Sequence, residues 1–377
     1  MSYAQDDQGN YLIPVPGMIH LAREIFSRAG CDDAEAATIA TRLTGANQRG
    51  HDSHGVIRIP RYVVWIDEGR QVPNQTVDII QDSGSIVILD GKFGFGQSLG
   101  EQAVDIGIAR AKEHGVAITG LRHAGHLGRI GDWSERAAAE NIVSIHMVNV
   151  RGSLIVAPFG GISKRMSTSP ISAGIPVTGQ EPIILDMATS TVAEGKALVA
   201  LKGGKPLPGD AIIDGDGQLT ADPVPLYGES ATSINPVAGG GEGALTTFGA
   251  HKGSGLNFLM EMMAGALTGS GCAGGVGETE KRRFCNGMFS IFLDLKVFHS
   301  DDGFAEEVKS YVAFLKEAVP ATPGGSVLVP GEKERMVKAE RDAKGLPIAP
   351  DAWNDICTTA HNLALSDNDI QNLVFKN

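Results

Sequence analysis

Residues 49–62, RGHDSHGVIRIPRY, combine side-chain types that suit acid–base chemistry and that no hydrophobic core requires. The imidazole of His54 titrates near neutral pH, which suits it to proton transfer. Arg58 carries a planar guanidinium that matches a carboxylate, and Ser53 and Tyr62 carry hydroxyl groups. In a helix that followed His54, Arg58 and Tyr62 would lie on one face. The segment therefore predicts a small site for an organic acid, with a polar surface loop as the alternative.

A second polar segment, RHAGHLGR, follows a predicted strand at residues 116–121. A strand end followed by a glycine-containing loop and a helix is a common location for functional groups. Together the two segments give two His-x-x-His pairs, His51/His54 and His123/His126. These rings predict either acid–base groups beside an arginine or, in another class of protein, a four-histidine centre of a metal-dependent hydrolase. Neither pair has the HExxH pattern, which favours the acid–base interpretation.

Two further functional classes need to be weighed. Ser53 beside His54 raises the hypothesis of a serine nucleophile, although adjacent side chains rarely face each other. A non-catalytic binding protein is the other class, and turnover of a small-molecule substrate would exclude it. DGDG at 214–217 lacks the later ligands of a calcium loop and predicts a β-turn, so we expect no metal site.

Three segments have features of phosphate or ribose sites. The first, GFGQSLG at 94–100, resembles a dinucleotide fingerprint, but the next predicted strand ends in LRH without an acidic residue for a ribose. We therefore expect its glycines to serve close helix–sheet packing. The second, DMATST at 186–191, leads into a predicted helix from about residue 191. The start of that helix could bind an anion or a ribose through its unpaired N–H groups, or its hydroxyl residues could serve only to cap the helix. The third is HKGSG, in which Lys252 at a glycine-flanked helix start is suited to meet a phosphate.

Composition narrows the partners of this chain of 377 residues, which has room for two or three domains. A net charge of −12 argues against nucleic acid and anionic membranes as partners. No apolar run approaches the ~18 residues of a membrane span. The four cysteines share no CxxC spacing, and the start MSYAQDD lacks the pattern of a secretory leader. We expect a cytoplasmic protein.

Periodicity and turn residues predict the main elements. Asp32 and Glu35 form a capping-box-like start for a helix that ends near residue 48. The other predicted helices cover residues 17–29, 60–66, 98–113 and 132–140. The predicted strands are a hairpin at 76–90 and segments at 116–121, 142–149, 171–176, 182–187 and 288–295.

The motifs SHGVIRIPRY, HLGRIGDW, LDMATSTVAEGK, HKGSGL and VPGE resemble, in order and spacing, the malate/L-lactate dehydrogenase family of NAD(P)-dependent oxidoreductases. This family is distinct from the Rossmann lactate and malate dehydrogenases, and the resemblance covers nearly the whole chain. It implies an α/β, non-Rossmann, sulfolactate-dehydrogenase-like fold with a mixed, mostly antiparallel sheet flanked by helices. It also implies a homodimer with the active site near the subunit interface.

The expected domain organisation follows from the same resemblance. Residues 1–75 form the helical N-terminal part of a substrate domain, and residues 76–120 form its sheet and helix part. Residues 121–300 form the NAD(P)-binding domain. Residues 301–377 form a C-terminal helical segment that packs on the N-terminal domain.

The resemblance also implies roles for individual residues. His54, with Ser53 beside it, and His126 are the candidates for the catalytic proton transfer, and Arg58 and Tyr62 face the substrate acid. The cofactor NAD or NADP is expected to contact Asp186, Met187, Ala188, Thr189, Ser190, Thr191, Val192, His251, Lys252, Glu332, Lys333 and Glu334. His51 and His123 match no family role. Ser254 stands where the family has an aromatic residue, and residues 167–170 read STSP where it has GTNP.

These observations predict an NAD(P)-dependent oxidoreductase that interconverts a 2-hydroxycarboxylate and its 2-oxo acid. A cyclic imine reductase of the same family, acting on a piperideine- or pyrroline-2-carboxylate, is the alternative within that chemistry. A histidine-ligated metal-dependent hydrolase is the alternative from another class.

Overall fold

The computed structural model describes residues 3–201, 206–232, 237–274, 284–298 and 303–375. The helices in these ranges are α1 (Val15–Arg28), α2 (Asp33–Gln48), α3 (Ile59–Asp67), α4 (Gly96–His114), α5 (Gly131–Ala139), α6 (Glu194–Leu201), α7 (Val224–Tyr227), α8 (His251–Met260), α9 (Leu295–Phe298), α10 (Gly303–Lys316), α11 (Glu332–Lys344), α12 (Pro350–Asn362) and α13 (Asp367–Phe375). The strands are β1 (Tyr11–Ile13), β2 (Asp78–Asp82), β3 (Ile86–Asp90), β4 (Val116–Ala124), β5 (Ile142–Arg151), β6 (Ile171–Ile175), β7 (Ile183–Met187), β8 (Ile212–Ile213), β9 (Leu219–Thr220), β10 (Ala244–Leu245), β11 (Cys285–Asp294) and β12 (Leu346–Ile348). None of the helices in these ranges combines the length and the apolar character that crossing a bilayer requires.

The main sheet contains seven strands of the described residues, in the order β2-β3-β4-β11-β5-β6-β7. Of these neighbours, β3 and β4 are parallel and every other pair is antiparallel. β11 comes from late in the chain and lies between β4 and β5. A dinucleotide fold of βαβ units needs a parallel sheet. The predicted non-Rossmann fold with a mixed, mostly antiparallel sheet is therefore confirmed.

Two helices, α4 and α5, cover one face of this sheet and enclose a core that includes Leu99, Leu121, Trp133 and Phe292. Close packing depends on glycines of α4. A Cβ on Gly100 would overlap the indole of Trp133, and a Cβ on Gly107 would overlap the ring of Phe292. The glycine at the end of GFGQSLG thus brings α4 against α5, whereas the predicted close packing of helix on sheet occurs at Gly107, outside that segment.

A second core joins the two ends of the chain. It is formed by α1, α2 and α3 together with α12 and α13, and it includes Phe26, Tyr62 and Trp353. The predicted cap of α2 forms in part, because Asp32 Oδ1 accepts the backbone N–H of Glu35 at 2.8 Å. The carboxylate of Glu35 does not return to Asp32; it accepts the backbone N–H of Asn74 at 2.6 Å. A tertiary contact has replaced the second half of the capping box.

A third apolar cluster lies between residues 155 and 245 and includes Leu226, Tyr227 and Ala197 of α6. Within it, the predicted turn at 214–217 joins β8 to β9. Asp214 Oδ1 accepts the backbone N–H groups of Asp216 at 3.0 Å and Gln218 at 2.8 Å. The β-turn prediction is confirmed, since this carboxylate is bound to its own turn.

The core of the sheet also contains a buried titratable group, His146 on β5. Its ring nitrogens lie 2.9 Å from the hydroxyl of Ser290 and 3.0 Å from that of Ser144, and the residue is fully buried. Burial lowers the pKa of His146 from 6.5 to about 3. In mild acid the ring of His146 is therefore neutral in the folded protein and protonated in the unfolded chain.

This burial predicts a specific loss of stability in acid. The contribution of His146 is complete above pH 6.5, and it falls as the pH drops from 6.5 towards 3, because the unfolded state then binds the extra proton. The expected slope is about 1.4 kcal/mol per pH unit. Urea unfolding at several pH values measures it, and His146→Gln should reduce the slope by that amount. Equal slopes in both proteins would contradict this assignment.

Candidate active site

The segment from His51 to Arg58 folds as two 3-10 turns, Asp52–His54 and Val56–Arg58, and not as one helix. Gly55 separates them in an extended conformation. A Cβ on Gly55 would overlap the side-chain oxygen of Asn47, and this oxygen accepts the backbone N–H of Val56 at 2.7 Å. Helix α3 begins at Ile59, directly after the second turn. Asn47 of α2 thus fixes the backbone at Val56, where the second turn begins.

The predicted helix does not run on from His54, because Gly55 breaks the segment; Arg58 is the cap of α3, and Tyr62 lies four residues further on within that helix. Arg58 turns back, and its Nε donates to the backbone oxygen of Ser53 at 2.6 Å. Tyr62 points into the core and is 1% exposed. Contact between Tyr62 and a substrate stays a prediction, and its hydroxyl in this structure serves His126.

The structure brings His54 and His126 together. Their rings stack at a centroid distance of 5.4 Å and an angle of 15°. The loop that carries His126 follows β4 and lies against the start of α4, where a Cβ on Gly96 would overlap the carbonyl oxygen of His126. Phe284 lies 6.1 Å from His126, centroid to centroid, and closes one side of the pair. Two residues from different segments of the sequence thus form one site.

Each histidine has a hydroxyl partner on Nδ1. Ser53 Oγ lies 3.0 Å from Nδ1 of His54, and the hydroxyl of Tyr62 lies 2.6 Å from Nδ1 of His126. The expectation that adjacent Ser53 and His54 side chains do not face each other is wrong. The residues lie in a tight 3-10 turn, and α6 packs so closely on Ser53 that a Cβ on Gly195 would overlap it.

The environment of the two rings favours their neutral forms. Burial, followed by the charge of Arg58, lowers the pKa of His54 to about 3. The same two causes hold the pKa of His126 well below its usual range, with His54 contributing further. Burial raises the pKa of Tyr62 to about 12. In the free protein at neutral pH the site therefore contains two neutral imidazoles and a protonated phenol.

The other two histidines of the His-x-x-His pairs point elsewhere. His51 Nε2 lies 3.6 Å from Glu334 Oε1, and His123 Nδ1 lies 3.2 Å from Asp90 Oδ2. The four rings do not converge, so the four-histidine metal centre does not form. Across the described residues, moreover, no group of three or more His, Cys, Asp or Glu side chains is arranged to hold a metal ion.

Arg58 provides the positive charge nearest the histidine pair. Its Nη2 lies 3.9 Å from Glu194 Oε2, and Glu194 in turn accepts from the hydroxyl of Tyr227 at 3.4 Å. The bond from Nε to Ser53 is the one hydrogen bond that Arg58 donates to the described residues. The terminal N–H groups of the guanidinium are thus available to a carboxylate that competes with Glu194.

Asp186 and Glu334, from two of the predicted cofactor segments, meet around His51. Asp186 Oδ2 accepts the backbone N–H of Gly131 at 2.9 Å and lies 3.7 Å from Nε of the buried Arg129. Burial raises the pKa of Asp186, and the charges of His51 and Arg129 oppose this shift. The close polar contact with His51 lowers the pKa of Glu334 to about 2. These charges adjoin His54, whose pKa both His51 and Arg129 lower.

The hydroxyl-rich segment after Asp186 is bound within the protein. Thr189 Oγ1 donates to the carbonyl of Thr168 at 2.9 Å, Ser190 Oγ donates to that of Val192 at 2.8 Å, and Thr191 Oγ1 lies 2.7 Å from Thr246 Oγ1. These contacts hold residues 189–192 in a non-helical conformation, so α6 begins at Glu194, three residues after the predicted start near residue 191. The role of residues 186–192 in cofactor binding stays a prediction.

The remaining cofactor candidates lie on α8 and α11. His251 and Lys252 occupy the first turn of α8, and Lys252 is exposed and forms no ion pair with the described residues. The N–H groups of Lys252 and Gly253 are bonded to the carbonyls of Gly249 and Phe248, whereas the exposed side chain of Lys252 can meet a phosphate. On α11, Glu332 accepts the backbone N–H of Val329 at 3.0 Å and pairs with Lys316, and Lys333 is exposed.

Two residues of the site were not predicted from the sequence. Gln97 Nε2 donates to the hydroxyl of Tyr62 at 3.1 Å, and Glu194 lies beside Arg58. Gln97 is the single amide within GFGQSLG, a segment interpreted through its glycines. A polar side chain among glycines at a helix start is the signal that could have identified it.

Comparison with known proteins agrees with this geometry. Residues 13–357 match the family model described as malate/L-lactate dehydrogenase. Hydroxycarboxylate dehydrogenase B of Escherichia coli O157:H7 is 34% identical over 348 residues, which cover 92% of this chain and 93% of that protein. The motifs HAGHLGRIGDW and LVPGEKER predict this likeness, and it is confirmed.

Solved structures show the same fold. A putative malate/lactate dehydrogenase from E. coli superposes with a TM-score of 0.88 at 32% identity, over 96% of this chain and 98% of that one. A delta1-piperideine-2-carboxylate reductase from Pseudomonas syringae pvar. tomato superposes with a TM-score of 0.78 at 28% identity, over 93% and 99% of the two chains.

Proposed function

Because the chain belongs to the malate/L-lactate dehydrogenase family, we propose that it interconverts a 2-hydroxycarboxylate and its 2-oxo acid by hydride transfer with NAD or NADP. The observation that carries this proposal is the stacked pair of His54 and His126 beside the guanidinium of Arg58. Such a pair offers proton exchange and a carboxylate anchor in one place. Reduction of a cyclic imine carboxylate is the second candidate, since the structurally similar reductase from Pseudomonas syringae is named for such a substrate.

The chain fits a dinucleotide in two respects. Lys252 offers an exposed ammonium beside glycines, and Gly255 has no atom near its missing Cβ, so a ligand can approach this turn of α8 closely. The charged groups around His51, including Asp186 and Glu334, would adjoin the part of the cofactor nearest His54. The nicotinamide, when bound, supplies or accepts the hydride at the carbon that carries the oxygen.

The protein's own part in the reduction is to bind the acid and to give a proton. Arg58 holds the carboxylate through its terminal N–H groups. Burial, and after it the positive charge of Arg58, keeps the pKa of His54 low in the free protein. A bound carboxylate neutralises the charge of Arg58 and so removes the second of these causes, which favours uptake of a proton by the ring once the substrate is in place. His54 then delivers this proton to the substrate oxygen.

A substrate panel tests this function. Purified protein is mixed with each of several 2-oxo acids and cyclic imine carboxylates, once with NADH and once with NADPH, and loss of absorbance at 340 nm is followed. We expect turnover with at least one 2-oxo acid and a clear preference for one cofactor. Turnover confined to cyclic imines would favour the second candidate, and no turnover with either class would contradict both.

The exposed ammonium of Lys252 gives a prediction for cofactor binding. Lys252→Ala should raise the KM of the cofactor about tenfold to a hundredfold, because a charge-assisted hydrogen bond contributes about 1.5–3 kcal/mol. The KM of the acid should change little. Lys296→Ala is the matched control, since Lys296 is also an exposed lysine near a helix start and belongs to none of the predicted cofactor segments. An unchanged cofactor KM in Lys252→Ala would show that this side chain faces solvent alone.

We also propose that the protein is a cytoplasmic homodimer without nucleic-acid or membrane partners. The face of the sheet opposite α4 and α5 supports the dimer. Six adjacent strands there present one registered row of apolar residues, none of them buried, formed by Ile86, Ile118, Ile291, Ile145, Ala173 and Leu185. Contiguous apolar surface of this kind is characteristic of protein interfaces.

A charge at the centre of this row should prevent association. Ile118→Glu is expected to convert the dimer to a monomer, measured by light scattering after size-exclusion chromatography. Ile79→Glu is the control, because Ile79 is 53% exposed but lies on the edge strand outside the row. A variant Ile118→Glu with the mass of a dimer would place the interface elsewhere.

A further inference from the structure

The hydroxyl of Tyr62 lies between two groups that define its orientation. It is 2.6 Å from Nδ1 of His126 and 3.1 Å from Nε2 of Gln97. Tyr62 and Gln97 are each 1% exposed, so solvent does not compete for these bonds. The three side chains come from α3, from the first turn of α4 and from the loop after β4. The close approach of Gly96 to the backbone of His126 holds the last two together.

In this structure the amide nitrogen of Gln97 faces Tyr62, and this orientation fixes the direction of each hydrogen bond. An amide nitrogen can only donate, so the oxygen of Tyr62 accepts from Gln97. The phenol has one hydrogen, and its other neighbour is Nδ1 of His126, so Tyr62 donates there. A nitrogen that accepts carries no hydrogen. The neutral ring of His126 therefore has its hydrogen on Nε2.

We propose that Gln97 is a positioning residue that acts through Tyr62 to hold His126 in the tautomer with its hydrogen on Nε2. Among the described residues, the hydroxyl of Tyr62 is the one hydrogen-bond partner of Nδ1 of His126. Gln97 thus sets which nitrogen of His126 can donate to a ligand.

The consequence of this tautomer for catalysis rests on the proposed function: it gives the two histidines different roles. Nδ1 of His54 faces the hydroxyl of Ser53, which can donate or accept, so His54 can change its protonation in either direction of the reaction. His126 is held as a donor, which suits a neutral ring that polarises the substrate oxygen. The proton is then exchanged by His54, and His126 stabilises the charge that develops on the oxygen.

Gln97→Glu tests this inference because it keeps the shape and replaces a donor with an acceptor. An ionised carboxylate accepts the hydrogen of Tyr62, so the phenol oxygen must accept from Nδ1 of His126 and the tautomer reverses. The ¹⁵N chemical shifts of ring nitrogens in histidine-labelled, substrate-free protein report the tautomer directly. His126→Gln assigns the signals. We expect hydrogen on Nε2 in the unsubstituted protein and on Nδ1 in Gln97→Glu above the pKa of the introduced carboxyl. The same tautomer in both proteins at every pH would overturn the inference.

The activity of the variants gives a second readout that a merely structural role would not change. Ionised Gln97→Glu should lower kcat roughly 10²-fold with little change in substrate KM, the cost of losing one preorganised donor. As the pH falls, the introduced carboxyl protonates, can donate to Tyr62 and should restore activity relative to the unsubstituted protein. Gln97→Leu should stay low throughout. The titratable or charged groups nearby are Tyr62, His126, His54 and Arg58, and both variants retain them.

The outcomes separate this inference from the proposed function. If the tautomer reverses and no 2-oxo acid or imine is turned over by any of the proteins, the role of Gln97 stands and the proposed function fails. If turnover occurs and Gln97→Glu and Gln97→Leu lose activity with identical pH profiles, the role of Gln97 fails. Should Gln97→Glu not fold, Tyr62→Phe replaces it, because His126 without a donor on Nδ1 should show both tautomers.

Discussion

Replacing His54 with glutamine is expected to lower kcat for reduction of a 2-oxo acid by about 10²–10⁴-fold, the usual contribution of a general acid or base. The affinity for NAD(P)H, measured by fluorescence titration, should change little, because the proposed mechanism assigns His54 to the substrate oxygen and not to the cofactor. Glutamine preserves much of the volume and a hydrogen-bonding group near Ser53. The loss therefore reports proton transfer and not collapse of the site.

The pH profile of kcat identifies the proton carrier. Reduction requires protonated His54, so activity should fall as the pH rises through the pKa of this ring in the complex. That fall should disappear in His54→Gln and persist in His126→Gln. His123→Gln is the matched control, since His123 pairs with Asp90 away from the stacked rings. If His54→Gln retains near-normal turnover, His54 is not part of the mechanism.

Arg58→Lys is expected to lower kcat/KM for 2-oxo acids by about tenfold to a hundredfold. A guanidinium holds both carboxylate oxygens through parallel N–H groups, and lysine keeps the charge but loses this fork. The substitution also removes the bond from Nε to the backbone of Ser53, which supports the turn that carries His54. Two effects on turnover are thus combined in one variant.

A neutral substrate separates these two effects. The corresponding 2-oxo amide does not bind both N–H groups of the guanidinium as a carboxylate does. Its kcat/KM should therefore fall much less than that of the acid if Arg58 recognises the carboxylate. The amide still reports damage to the turn at His54. An equal loss for acid and amide would show that Arg58 is not the carboxylate anchor. Arg61, whose pKa is lowered by burial and by the neighbouring Arg58, would be the next residue to test.

Local patterns were sufficient to predict the elements that position the site. Periodicity and turn residues identified the hairpin β2–β3 and the strands β4 and β5. Helix α4 ends where Gly115 adopts a left-handed conformation with φ of 81°. Two stretches that carry His54 and His126 were identified from residue types alone.

The orientation of individual side chains was not predictable from local patterns. The chain breaks between His54 and α3 at Gly55, where a side chain would overlap Asn47 of a different helix. The start of α6 moves to Glu194 because Thr191 is bound to Thr246. In each case a residue distant in sequence decides a local conformation, and a single sequence gives no sign of that partner.

The position of β11 has a consequence for how the protein is made. β4 and β5 leave the ribosome as strands whose inner edges have no partner, since β11 is synthesised more than a hundred residues later. At usual elongation rates this interval lasts on the order of ten seconds. The core around α1 is completed later still, because Gly17 packs directly on the backbone of Val374, which is synthesised after β11. Throughout synthesis the nascent protein exposes open strand edges and an unfilled helical core, so its yield in the cell should depend on chaperones that cover them.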